Sequence, residues 1–582
     1  MFSQVSFNSL RCAGLDCFGL LNFTSSLALL CLLGSPLLSL AAQAQEKPAP
    51  AASQVDLTLQ LPLAPEALRG DSTTKLRGYR PRLNPTLVTP AATKLAPGVE
   101  NLPAPASLAL PAKPEQVRIT ELRPLGLVEV ENLAEVNNPN LKAIASQVDQ
   151  AQSNLRAKIS QWYPTLDLEA ASIPSYSIGQ SRSVSASRNA VNSSTDRWNF
   201  GASLNANWSL IDPRRVPTIA AARDQFEKAK FQYVIALREL RLQTASAYFD
   251  LQQSDDQVRI GQESARASIV SLRDSKARFQ AGVATKLEVL EAETQLSRDQ
   301  QLLTNSLAAQ AIARRTLAAL LDLPQNVTPT AKDPARVFGI WRPSLQESIV
   351  AAYTFREELD QALLDISIAN SQANSALGAV QPFLKIFAGF SGKASSGNDP
   401  TSSNMGQGSL EVSNYDTAFG VNLSWSIFDG GAAVAQSRQN KQLAQENTFR
   451  FAQRRDGIRQ EVETSFYELE KNNRNIVTTS REVISARESL RLARLRFQAG
   501  VTTQREVVDN QRDLTQAEVR FSNSITDYNK RLAELRRRTG LDQVAGCTPQ
   551  SLPAIKPAGA SDVPVEPTPL IPACQAAAQG AV

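Results

Sequence analysis

Arg278-Phe279-Gln280-Ala281-Gly282-Val283 returns letter for letter as Arg496-Phe497-Gln498-Ala499-Gly500-Val501, an offset of 496 − 278 = 218 residues. The match runs on: Thr285 answers Thr503, Glu288 answers Glu506 and Val289 answers Val507. Upstream, Trp208-Ser209-Leu210-Ile211-Asp212 answers Trp425-Ser426-Ile427-Phe428-Asp429. Ala247-Tyr248-Phe249-Asp250-Leu251 answers Ser465-Phe466-Tyr467-Glu468-Leu469. A repeat this long is no solenoid unit. It marks a duplicated half-protein with pseudo-twofold order, read here as residues 126–343 and 344–544.

The repeated hexapeptide has a full local explanation. Gly282 and Gly500 stand where a helix must stop, because glycine accepts the left-handed closing conformation. Thr285 and Thr503 then cap the next helix, and Glu288 and Glu506, three residues on, complete Thr-x-x-Glu capping boxes. The arginines before each glycine suit a helix C-terminus, and the glutamates suit an N-terminus. Each segment is therefore a helix–turn–helix bend, a role that requires no binding function.

The flanking helices are long. Ile219, Ala222, Phe226, Ala229, Tyr233, Ala236 and Leu240 step by three and four, as do Leu514, Ala517, Phe521, Ser524 and Tyr528. Large and small residues mix at these positions, which suits close coiled-coil packing. No proline falls between 218 and 281, so the first rod reaches ~100 Å at 1.5 Å per residue. Such a rod must bury its apolar stripe against neighbours or unfold. A shorter helix opens each half, about 138–161 and about 344–380.

Between short and long helices the period changes to two. Phe200, Ala202, Leu204, Ala206, Trp208 and Leu210 alternate with Gly201, Ser203, Asn205, Asn207 and Ser209. Phe419, Val421, Leu423, Trp425 and Ile427 alternate likewise. Less regular partners follow Pro164 and Pro382, with polar loops at 176–197 and 391–414 between strands. Four strands of about ten residues, apolar on one face, fit a membrane barrel wall. They also fit a small soluble sheet packed on the helices. In lipid, four strands cannot close, since the smallest membrane barrels have eight. Two copies would give a filled barrel; three would give twelve strands and room for a channel.

The termini read differently. Residues 1–44 form an export signal: Arg11, an apolar run from Leu27 to Leu40, then Ala42-Gln43-Ala44 as the cleavage site. Residues 45–125 are Pro-rich and read as a disordered linker, and 545–582 as a Pro/Ala-rich tail. Cys12, Cys17 and Cys31 leave with the signal; Cys547 and Cys574 remain and are free to pair in an oxidising compartment.

The chain has 582 residues, with 61 basic and 56 acidic side chains and a net charge of +5. That excess argues for no nucleic-acid partner. Histidine is absent, which excludes Ser-His-Asp and Cys-His nucleophile systems and His-ligated zinc. Glu357-Glu358 has the chemistry for acid–base work but reads as a solvated helix face. No catalytic, cofactor or metal residues are assigned, and the protein is expected not to be an enzyme.

Together the duplication, the joints Trp208–Asp212 and Trp425–Gly431, and the paired Arg-Phe-x-x-Gly-Val bends resemble the TolC-like outer-membrane efflux family over roughly residues 130–541. The resemblance implies an α+β membrane protein. A long antiparallel α-helical coiled-coil barrel would stand in the periplasm beneath a trimer-completed 12-stranded transmembrane β-barrel in outer-membrane lipid. It implies a homotrimeric passive duct serving efflux or type I secretion. A periplasmic adaptor protein would join it to an inner-membrane pump of RND, ABC or MFS type. It maps adaptor docking onto Gly282, Val283, Gly500 and Val501, and a periplasmic aperture onto Glu506 and Asp509. Thr285, Glu288, Thr503 and Arg505 are left as cap or latch residues. Where the family often places a basic latch residue, this chain has Thr502 and Thr503, with Arg505 the nearest base. The competing reading is an exported coiled-coil spacer that tethers envelope layers.

Overall fold

The computed structural model describes residues 90–184, 190–398 and 410–541. The expected export signal, the tail with its two cysteines, and the first half of the Pro-rich segment lie outside the described residues. In chain order the elements are β1 (Glu121–Leu125), α1 (Leu127–Asn137), α2 (Pro139–Ile159), β2 (Thr165–Val184), β3 (Ala190–Ile211), α3 (Arg215–Gln280) and α4 (Lys286–Leu320). There follow β4 (Val327–Ala331), α5 (Leu345–Phe355), α6 (Glu357–Leu377), β5 (Phe383–Asn398), β6 (Leu410–Ser424), α7 (Ala432–Gln498) and α8 (Gln504–Thr539).

The duplication is structural. The offset from α1 to α5 is 345 − 127 = 218 residues, and from α2 to α6 it is 357 − 139 = 218. Each half opens with two helices where the periodicity suggested one. In the first, Pro139 breaks the pair by forcing Asn138 out of the helical region. In the second, no proline stands at the break. Arg356 is extended there (φ −86°, ψ 117°), and its guanidinium bonds Glu358, two residues on, and Glu461 of α7.

β2, β3, β5 and β6 form one antiparallel sheet in the order β2-β3-β5-β6. Rows across it read Leu168–Leu204–Phe390, Leu166–Ala206–Ala388–Phe419 and Trp208–Ile386–Val421. Residues directly opposite share a face, so one face is continuously apolar, and its large side chains other than the half-buried Ile386 are exposed. The rows between carry Asp167–Asn205–Gly389 and Glu169–Ser203–Ser391–Asp416. The strands have 20, 22, 16 and 15 residues, longer than expected. Much of what read as loop at 176–197 and 391–414 is ladder. There the alternation fades into Ser, Asn, Gly and Thr, and backbone pairing sustains the strand without an apolar face to mark it.

The sheet-to-helix joints repeat as well. Trp208 Nε1 donates to Trp162 O at 3.0 Å, and Trp425 Nε1 donates to Val380 O at 3.1 Å. Beyond these joints run α3 and α7, of 66 and 67 residues. α3 packs along α4, α7 along α8, and α3 along α8. Two cores lie near mid-length. One joins Leu127, Val130 and Leu133 of α1 to Leu237, Tyr248 and Leu251 of α3. The other joins Leu359, Ile458, Val462, Tyr528 and Leu532.

Residues 90–125 are not the disordered linker their prolines suggested. Val99 and Leu102 are buried in the first core, and β1 pairs in parallel with β4. Asn132 and Asn137 accept from the amides of Ala96 and Ala104 at 2.8 and 3.3 Å. Proline prevents a sustained α-helix here and leaves only a short 3-10 turn at Pro114–Val117, but side chains of α1 bond part of the extended backbone.

Candidate functional site

The two bends lie side by side at the far end of the long helices. Both close as Schellman motifs. Val283 N donates to Arg278 O and Gly282 N to Phe279 O, both at 3.0 Å; Val501 N to Arg496 O and Gly500 N to Phe497 O measure 2.9 and 3.0 Å. Gly282 and Gly500 have φ of +74° and +71°, which an L side chain adopts only under strain. Val283 and Val501 project into solvent.

After the bends the copies diverge. Thr285 caps α4 as expected, with Glu288 N 3.4 Å from its hydroxyl and Glu288 Oε1 3.3 Å from the Thr285 amide. Thr503 makes no side-chain cap bond. Its expected capping box fails because Glu506 turns elsewhere, to Arg496 Nη1 at 3.0 Å and to the Thr502 hydroxyl. The first copy has Ala284 in place of Thr502, and its Arg278 lies over the Phe497 ring at 4.4 Å. Glu288 therefore keeps its cap. Comparing the repeats at this position exposes the difference; motif matching alone did not.

Asp509 is flanked by Arg512 at 3.3 Å and Arg505 at 3.8 Å. Arg505 also approaches Glu291 at 3.9 Å. Glu291 and Asp509 are repeat equivalents, since 509 − 291 = 218. Arg505 thus spans the two hairpins between paired carboxylates, where the first copy has Leu287. Gln504, buried at the start of α8, bonds the Ser271 hydroxyl of α3. Glu291, Arg496 and the Gln504–Ser271 pair were not anticipated, because each depends on which helices neighbour one another; Arg512 was missed although its i,i+3 spacing from Asp509 on α8 is visible in the sequence.

A second charged cluster sits at the α5–α6 break, where Glu357 and Glu358 are buried; the expectation of a solvated face is corrected. Arg356 donates to Glu358 at 3.2 and 3.0 Å and to Glu461 at 2.6 Å. Arg537 donates to Glu358 at 2.8 Å, and Arg538 to Glu461 at 2.9 Å. Burial opposes ionisation of Glu358, but the hydrogen bond from Arg356 and the charge of Arg537 hold its carboxyl well below the usual range. Glu357 is pushed up to about 7 by burial, against the pull of Arg238. Arg238 Nη2 lies 3.1 Å from it, yet the guanidinium makes no aligned hydrogen bond. Among the described residues no carboxylate, cysteine or histidine cluster is arranged for a metal.

A sheet with one apolar face is joined to two helices about 100 Å long, each packed against a shorter one. The profile described as "Outer membrane efflux protein" matches twice, over residues 130–322 and 349–541. The chain belongs to the outer membrane efflux protein family, whose members are channels of the outer membrane. The outer membrane protein TolC of Vibrio cholerae is 23% identical over 322 residues, 54% of this chain and 67% of that protein. The fold is shared with CusC, at 18% identity and a TM-score of 0.57, over 75% of this chain and 96% of that one. It is shared equally with VceC of Vibrio cholerae, at 16% identity and a TM-score of 0.57, over 71% and 96%.

Proposed function

We propose that three copies assemble into a passive exit duct, with a 12-stranded barrel in the outer membrane and the long helices forming a tube in the periplasm. The observation that carries this reading is the open, one-face-apolar sheet. Its outer strands β2 and β6 each have one unpaired edge, which lipid does not tolerate. From Phe200 to Leu210 the apolar face rises about 25 Å, taking ~3.3 Å per residue and a tilt of about 40°. Tyr176 and Trp198, 4.8 Å apart, mark one margin; Trp208 and Trp425 mark the other. Aromatic girdles at that separation suit a bilayer. A soluble spacer would leave this face in water without reason.

The adaptor would dock on the bends at Gly282-Val283 and Gly500-Val501, coupling the duct to an inner-membrane pump. Glu506 and Asp509 would line the aperture. Each acid already has an arginine, so the ring would be a set of ion pairs and not bare like charges. Arg505, between Glu291 and Asp509, is the better latch residue; Glu288 serves the cap.

Mass measurement in detergent should give three copies, and planar bilayers should show conductance. A monomeric, non-conducting particle would end the proposal. Asp509→Ala with Glu506→Gln removes the acid partner of Arg496 and leaves Arg505 only Glu291 and Arg512 only Asp513 among the described ion pairs, and should raise single-channel conductance and weaken block by divalent cations. Unchanged conductance would remove both acids from the aperture.

A further inference from the structure

Residues 103–120 form an arm tied at both ends. At one end Leu102 is buried and Ala104 N bonds Asn137; at the other β1 pairs with β4. Between them Leu108 and Leu110 are 95% and 89% exposed. Single exposed leucines are ordinary. These two stand in a segment stiffened by Pro103, Pro105, Pro111 and Pro114, which limits the freedom lost on binding.

At the same height along the rods lies an open apolar groove of about 740 Å³ between α3 and α4, lined by Leu242, Ala247, Ala309 and Ile312. Ile312 is 67% exposed there. The heights match because the arm's anchors share one core with α3 residues 237–251 and the groove runs along α3 residues 239–257. A rotation about an axis parallel to the rods keeps every residue at its own height. In a ring of copies, the arm therefore meets its neighbour at the level of this groove. Charge agrees as well. Lys113 and Arg118, with Glu115 between them, follow the leucines, and the groove's rim carries Glu239 and Asp250, which pair with Arg537 and Lys530 and stay 47% and 46% exposed.

We infer that the arm is a strap between copies: Leu108 and Leu110 of one protomer seat in the α3–α4 groove of the next. This rests on the ring assembly proposed above, and it adds an intersubunit contact whose arm lies outside the two segments the family profile matches, while its groove lies inside the first.

The test places Leu108→Cys and Ile312→Cys in the full chain, with Cys547→Ser and Cys574→Ser. Mild oxidation should convert most of the protein into covalent dimers and trimers on a denaturing gel, reversed by reductant. Co-expressed single-cysteine copies should give dimers only. A trimer in detergent that runs as monomers after oxidation overturns the strap and leaves the ring intact. Monomers whose thiols are consumed would place the arm in its own groove and also overturn it. A monomer in detergent removes the ring and the strap together. As a second measurement, Leu108→Ser with Leu110→Ser should lower the temperature at which the trimer dissociates; no change counts against the strap.

Discussion

Replacing Arg356 by methionine tests what holds the second half's broken helix. The guanidinium is nearly inaccessible and makes three charge-assisted hydrogen bonds, two to Glu358 and one to Glu461. Glu461 is one-third exposed and retains Arg538, so water and that arginine compensate it. Glu358 is buried and retains only Arg537. The loss therefore falls mainly on one half-compensated buried carboxylate. Breaking a buried pair by removing one partner costs about 3–5 kcal/mol, and the remaining arginine puts this case near about 3 kcal/mol. Hydrogen exchange read by mass spectrometry on peptides spanning the α5–α6 break should then accelerate roughly 100-fold. Arg356→Met with Glu358→Met should restore at least half of the protection, since an apolar replacement of a whole buried pair is nearly neutral. If the single variant exchanged like the parent, the ion pairs would contribute nothing net. The break would then have to be held by apolar packing alone.

Glu357 predicts a pH effect at the same joint. A carboxyl raised from 4.5 to about 7 in the folded state favours the protonated form, so the joint gains stability as pH falls from 7 toward 4.5. The gain between about pH 8 and about pH 5.5 is about 2 kcal/mol. Glu357→Gln should flatten this slope in pH-resolved hydrogen exchange, and a slope unchanged by the substitution assigns it to another group. Thr285→Ala should destabilise the start of α4 by about 1 kcal/mol, while Thr503→Ala, with no cap bond to lose, should cost only a few tenths; amide exchange over 286–292 and 504–510 compares them. Gly500→Pro removes the amide that bonds Phe497 O and forbids the positive φ. It should abolish adaptor-dependent export in cells while detergent mass still reports a trimer. Full export would detach docking from this bend.

Periodicity was sufficient wherever one physical demand acts along the whole element. The rods obey a three-four spacing because each must bury a stripe. The part of β3 from Phe200 to Leu210 alternates because one face is apolar. Gly282 and Gly500 were legible because a left-handed turn admits few residues. Where the demand lapsed, the reading shortened: the outer parts of β2 and β5 need only backbone pairing, which any polar sequence can supply.

The amino-acid sequence by itself determined the duplication, the helix-stopping bends and the family, because these depend on residues close along the chain. Only the tertiary structure decided which charges meet. Thr503 and Glu506 carry a capping motif that a neighbouring Arg496 overrides. Glu357 and Glu358 look like surface acids until α3 and α8 bring Arg238 and Arg537. Residues 90–125 look like a linker until α1 supplies their partners. Electrostatic and hydrogen-bond partners come from residues far away in the chain, and the spacing of one segment carries no record of them.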